Sequence, residues 1–136
     1  MSEKESTDLE EPRGELALRT LAMPGDTNPA GDIFGGWLMG QMDIAGGILA
    51  GMRAQGRVAT IAVDGFVFHN PVHVGDVLCC YGDVLEIGRT SIKLRIQAWV
   101  LRGRQAGDRV KVTEGIFTFV AIDENRQKRP VPPEID

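Results

Sequence analysis

Cysteine is scarce in this chain of 136 residues: there are two, Cys79 and Cys80, and they are adjacent. Neighbours in a strand point to opposite faces, so these two cannot pair with each other and offer no metal-ligand spacing. They read as small buried structural residues. A basic excess is missing as well. Fifteen Lys and Arg stand against nineteen Asp and Glu, a net charge of −4. The overall field therefore does not attract nucleic acid, and any anionic ligand must be held by a local basic cluster. No segment approaches the run of about 18 apolar residues that a membrane span requires. The start, MSEKESTDLEEP, is acidic and polar, the opposite of a secretory signal. A soluble cytoplasmic protein with no nucleic-acid or membrane partner is the expectation.

The remaining composition is ordinary for a globular domain, with 43% hydrophobic and 25% charged residues. The length allows one domain with a real core and not two. Residues 1–13 are charged and aperiodic, a disordered leader. Glu15 to Met23 alternates loosely as a first strand, and Pro24 to Gly31 is a dense block of turn formers. Asp32 is placed as the N-cap of a helix. From Ile33 to about Ala54 the sequence predicts that helix, roughly 30 Å long, apolar nearly all round and therefore buried within the fold. Its glycines cost it about 1 kcal/mol each relative to Ala, which points to close packing or ligand approach.

After Gly56 the period changes to two. Arg57–His69, Asp76–Ile87, Thr90–Arg102 and Arg109–Ile122 are four long strand candidates. Gly88-Arg89 makes a tight hairpin turn and Gly103–Asp108 a looser one. The tail, from residue 124 to 136, is irregular and rich in proline. The predicted fold class is α+β: a curved antiparallel sheet of about five strands wrapped around one long central helix, the hotdog arrangement, over residues 14–123.

Asp43 is the only charged residue between Asp32 and Arg53. A buried, unpaired carboxylate costs several kcal/mol or becomes neutral. Its helical neighbours three, four and seven positions away are Gly36, Met39, Gly40, Gly46, Gly47 and Ala50. One face is thus nearly bare, and a ligand or second chain can come close. The plain alternative is a polar residue hydrogen-bonded at an interface. At the helix start, Ile33-Phe34-Gly35-Gly36 offers free backbone N–H groups and a partial positive charge, suited to an oxyanion. Alternatively, its glycines only permit tight helix–sheet packing. Gly35 and Asp43 are eight residues apart, roughly 12 Å along the axis. They cannot both act on one carbonyl from the same chain. If both are catalytic, they come from different subunits, and a homodimer is required.

These residues carry a family likeness. The run T-N-x-x-G-D-x-F-G-G-W-L-M-x-x-M-D, with GRVATIAVDGFVFHNPVHVGDVLCCYGDV after it, resembles the YciA-like acyl-CoA thioesterases of the hotdog superfamily from about Gly14 to Pro132. The resemblance implies hydrolysis of acyl-CoA over a broad range of chain lengths. It implies Asp43 as catalytic carboxylate, Asn28 sharing the site from the partner subunit, and the helix-start glycines at Gly35 and Gly36. It also implies dimers assembling into hexamers, with coenzyme A at subunit boundaries. Coenzyme A is then part of substrate and product; no separate cofactor and no metal is expected. The chain departs from the family at His69-Asn70-Pro71, where an Arg or Lys often precedes the proline, so the phosphate contact expected there is in question. A lone histidine at a strand end is more often structural.

Asp43 would act as general base on water, typically worth about 10²–10⁴-fold, or attack directly to form a mixed anhydride. The amides at Gly35 and Gly36 would stabilise the oxyanion, and Asn28 would position water or carbonyl. The phosphates of coenzyme A need basic groups. Arg89, Thr90, Ser91 and Lys93 offer two cations, two hydroxyls and a turn backbone together. Arg57 and Lys111 are weaker candidates, and all of these residues can instead be solvated strand-edge groups.

Two rivals share the fold. An enoyl-CoA hydratase carries a loop resembling Asp-x-Asn-Pro-x-His, but here Asp26-Thr27-Asn28-Pro29-Ala30 is followed by Gly31. Asp64 and His69 have similar spacing but fall in a predicted strand, on opposite faces. A non-catalytic acyl-CoA-binding or sensing module is the second rival. It gains nothing from a desolvated anion beside a thioester.

Overall fold

The computed structural model describes residues 10–102 and 109–135. The loop predicted at Gly103–Asp108, residues 1–9 of the leader and Asp136 lie outside the described residues. Among the described residues there are five strands, β1 (Glu15–Leu21), β2 (Val58–Asp64), β3 (Val77–Ile87), β4 (Ser91–Leu101) and β5 (Arg109–Ala121), with one α-helix, α1 (Gly35–Ala54). A single turn of 3-10 helix covers Pro24–Asp26. The strands form one antiparallel sheet in the order β1-β3-β4-β5-β2. This is the α+β hotdog architecture predicted from the period change after Gly56.

The sheet wraps α1 because one face of each long strand is apolar. Ile92, Leu94, Ile96, Ala98 and Val100 of β4, Leu78 and Cys80 of β3, and Phe117 and Phe119 of β5 are buried together with Leu38, Met42, Ala45 and Ala50 of the helix. Gly46 permits a close approach: a Cβ there would lie 2.8 Å from the Phe119 ring. A helical glycine costs about 1 kcal/mol relative to Ala, and here it removes a clash that would force helix and sheet apart.

Several expectations need correction. The helix begins at Gly35, two residues later than predicted, and Phe34 stands at the N-cap without a side-chain cap. Asp32 does not cap it; the loop turns through Asn28, whose Oδ1 accepts the Ala30 and Asp32 N–H groups at 2.9 and 3.0 Å. The helix is not enclosed by its own sheet. Ile44, Ile48 and Met52 are 51%, 44% and 68% exposed, so one apolar side of the helix is open in the single chain. The second predicted strand stops at Asp64 and not at His69, because Gly65 takes φ +74 and turns the chain out of the ladder. Beyond it, residues 66–72 follow β5 through the bonds Thr113 Oγ1–H to the Val67 carbonyl (2.6 Å) and His69 N–H to the Val112 carbonyl (2.7 Å).

Glu10 to Arg13 lie against the outer face of the sheet. The Arg13 N–H donates to Gln97 Oε1 at 2.9 Å, and Glu10 meets Lys111 at 3.1 Å. The tail carries one isolated bridge, Ile122 to Lys128, and otherwise runs without regular structure to Ile135.

Candidate active site

Asp43 sits midway along α1, half-buried, with its carboxylate turned toward β2. The Thr60 hydroxyl donates to Asp43 Oδ1 at 2.6 Å. Thr60 is aimed by a bulge: Thr60 pairs with Phe119 and Ala62 with Thr118, so Ile61 is the extra residue. Such a bulge sharpens the local twist and redirects the adjoining side chain. Around Asp43 the stripe of small residues divides. Gly36 and Gly40 have no atom within 4 Å of a Cβ position, and Gly47 meets only the Phe119 ring, at 3.8 Å. Gly46 and Ala50, predicted in the same bare stripe, instead face the core. The carboxylate is hydrogen-bonded through one oxygen and bordered by open space, not sealed.

The helix start is the second component. The first helical hydrogen bond runs from the Leu38 N–H to the Phe34 carbonyl at 3.2 Å. The N–H groups of Gly35, Gly36 and Trp37 therefore precede any intrahelical acceptor. The helix start has no side-chain cap, and Gly35 borders a cavity of about 330 Å3, walled by Ile33, Phe34, Phe68, His69 and Asn70 among others. Asn28 lies in the loop before it. Its oxygen is committed within the loop, which leaves its amide nitrogen as the group able to meet a ligand.

The expected phosphate residues are brought together only in part. Arg89, Thr90 and Arg57 gather at one end of the sheet: the Thr90 carbonyl accepts the Ala121 N–H at 2.9 Å, the Arg57 carbonyl accepts the Ile122 N–H at 3.0 Å, and the Arg89 carbonyl accepts the Val131 N–H at 2.8 Å. Ser91 closes the same turn, its carbonyl accepting the Gly88 N–H at 2.8 Å. Lys93 stands on the outer face of β4 in an exposed pair with Glu86, at 3.8 Å. Lys111 is occupied by Glu114 at 2.8 Å and Glu10 at 3.1 Å, well away from that turn.

Burial pushes the Cys80 thiol up to about 12, with Cys79 beside it adding to the effect. A thiol so buried is a poor nucleophile. Among the described residues no group of three or more His, Cys, Asp and Glu side chains could hold a metal ion. None of their helices is long and apolar enough to cross a membrane. Against a hydratase, the pairing of Asp64 with His69 needs correction: His69 lies in a connection and not in a strand. The missing histidine at Gly31 alone now speaks against that chemistry.

Sequence reasoning missed Thr60. Its only signal was a hydroxyl in an otherwise apolar run, VATIAV. The bulge that brings it under the helix has no local mark.

Known proteins share this fold. Residues 30–106 match the model of the thioesterase superfamily. The acyl-CoA thioester hydrolase YciA of Escherichia coli (strain K12) is 51% identical over 131 residues, covering 95% of this chain and 99% of the relative. The crystal structure of HI0827, a hexameric broad-specificity acyl-coenzyme A thioesterase, superposes with a TM-score of 0.86 at 52% identity, covering 92% of this chain and 86% of that one. An aspartate-to-alanine mutant of the same enzyme superposes at 0.85. An acyl-CoA hydrolase from Staphylococcus aureus, solved with butyryl coenzyme A and coenzyme A, superposes at 0.75 with 28% identity, covering 88% of this chain and 74% of that one. It too has been solved as single aspartate-to-alanine and asparagine-to-alanine mutants. The chain belongs to the YciA-like acyl-CoA thioesterases of the hotdog superfamily.

Proposed function

We propose that this protein hydrolyses acyl-CoA to free fatty acid and coenzyme A, at a site shared by two subunits. The observation that carries the reading is the carboxylate of Asp43, held at 2.6 Å by one hydroxyl and otherwise bordered by the open positions of Gly36 and Gly40. A water beside Asp43 attacks the thioester carbonyl carbon while the carboxylate takes its proton. The carbonyl oxygen becomes negative and is met by the N–H groups of Gly35 and Gly36 from the partner subunit, a contribution of roughly 3–4 kcal/mol per donor. Collapse breaks the C–S bond and releases the coenzyme A thiolate with the fatty acid. Direct attack by Asp43, with a mixed anhydride hydrolysed afterwards, gives the same products. Asn28, with its oxygen already engaged, acts as a donor to the carbonyl through its amide nitrogen. No separate cofactor or metal enters this scheme.

The two-subunit arrangement is supported by geometry. Asp43 and Gly35 lie roughly 12 Å apart along one helix, too far to share a carbonyl. The open apolar face of α1, with Ile44, Ile48 and Met52, and the exposed edge of β2, with Ile61 at 55%, leave room for a second copy. Closed two-fold dimers are the commonest solution, and HI0827 is hexameric, in keeping with a trimer of such dimers. Arg89, Thr90 and Ser91, with Arg57 beside them, are assigned to the coenzyme A phosphates. Lys93 is the weakest member because Glu86 holds it.

The test is thiol release from a panel of acyl-CoAs by the wild type and Asp43→Ala. The expected result is turnover by the wild type and a loss of at least about 10²-fold in the variant, with the oligomer intact. Absence of thiol release at every chain length would favour a binding module. Near-normal turnover by the variant would remove Asp43 from the mechanism.

A further inference from the structure

We infer that the Arg102–Asp76 pair is a positioning device for the cavity at the helix start, holding both of its approach segments from the far end of β4. This inference rests on the proposed hydrolysis.

Asp76 is nearly buried, with a side chain 5% exposed, and it turns inward at the head of β3. Arg102 comes directly after the end of β4 and meets it in a fork. Nη2 lies 3.0 Å from Asp76 Oδ2, and Nε lies 3.3 Å from each carboxylate oxygen. A forked guanidinium fixes orientation as well as charge. Two further bonds make the pair more than a local clamp. The same Arg102 Nη2 donates to the Pro71 carbonyl at 2.9 Å, and Pro71 lines the cavity with His69, Asn70 and Gly35. Asp76 Oδ2 also accepts the His73 N–H at 2.8 Å, closing the turn between Pro71 and β3.

The turn then reaches the other approach. The Gly75 N–H donates to the Ala22 carbonyl at 2.8 Å, and the Ala22 N–H donates to the Asp76 carbonyl at 3.0 Å. Ala22 is where β1 ends and the loop of Asn28 begins. That loop closes onto the helix start through the Phe34 N–H, which donates to the Asp26 carbonyl at 3.1 Å. The segment around this ion pair thus ties the His69–Val72 wall of the cavity to the Asn28 loop, which itself closes on the helix start. An arginine serves both Asp76 and Pro71 because its donors diverge. The point-like ammonium of a lysine can keep the ion pair but cannot reproduce that fork.

Steady-state hydrolysis of one acyl-CoA, measured alongside Tm and oligomer size for wild type, Arg102→Lys and Arg102→Met, separates positioning from stability. In Arg102→Lys the retained charge keeps Tm close to that of the wild type. Its kcat is expected to fall about ten-fold with KM within about two-fold, because misplacement near the carbonyl costs the chemical step and not binding. Arg102→Met is expected to lose at least as much kcat and to melt lower. Folded Arg102→Lys with wild-type kcat would overturn the inference, whatever Arg102→Met does. Unfolding of Arg102→Lys would also overturn it, since the pair would then be a stability element. If the wild type itself released no thiol, the proposed hydrolysis would fail first and take this role with it. An active wild type beside an equally active Arg102→Lys sinks the positioning role alone.

Discussion

The Thr60 hydroxyl meets Asp43 Oδ1 at 2.6 Å, across the gap between an edge strand and the central helix. One oxygen of the carboxylate is thereby fixed, and Gly36 and Gly40 on the same helix leave open space nearby. A carboxylate that must take a proton from water, or attack a carbonyl, needs this kind of half-restraint: oriented but not saturated. The bulge at Ile61 puts the hydroxyl there.

Thr60→Val keeps the shape of the side chain and removes the donor. A hydrogen bond to a charged group is worth about 1.5–3 kcal/mol, and some of that orients the carboxylate for reaction. The expected outcome is a fall in kcat of roughly ten-fold with KM little changed, read from thiol release under saturating substrate.

The helix, the long strands and the aspartate among glycines were legible because each has a local signature: a long apolar run after a block of turn formers, period two, or one charge in an apolar stretch. The positions that depend on distant partners were not. Asp32 looked like a cap, but Asn28 Oδ1 takes the Asp32 N–H and the helix starts at Gly35. His69 looked like strand until Gly65, at φ +74, ended β2. Lys111 was a weaker phosphate candidate, whereas Glu114 on its own strand and Glu10 of the preceding segment hold it. Thr60 had no signal beyond a hydroxyl in an apolar run, since a bulge is a property of two strands.

Arg89 is exposed at the turn between β3 and β4, with its carbonyl bonded to the Val131 N–H and its side chain in no ion pair among the described residues. Arg89→Ala should raise KM for acyl-CoA by about ten-fold and leave kcat nearly unchanged, the pattern of lost uniform binding. The rise should shrink as salt increases, because exposed charge contacts are screened. Kinetics at two ionic strengths check both statements.

On the outer face, Glu114 is held below the usual carboxylate range, first by its hydrogen bond to Lys111 and then by that to Gln97, against the opposing effect of partial burial. A lowered folded-state value means that the ionised form stabilises the fold. That contribution is complete above the ordinary glutamate range and is lost as pH falls through the lowered value. Glu114→Gln should therefore melt below the wild type at neutral pH. The gap should close as both are taken to acid below about pH 4. Melting curves across that range decide it.

A site built from two chains is the central claim, and mixing inactive subunits tests it directly. Asp43→Ala and Asn28→Ala chains, each poorly active alone, are co-refolded in equal amounts. Random pairing makes about half of the dimers mixed, and each mixed dimer carries one site with both residues intact. Thiol release is predicted to return to about a quarter of the wild-type rate. A mixture no more active than the average of its two parents would place Asp43 and Asn28 in the same chain's site and contradict the shared arrangement.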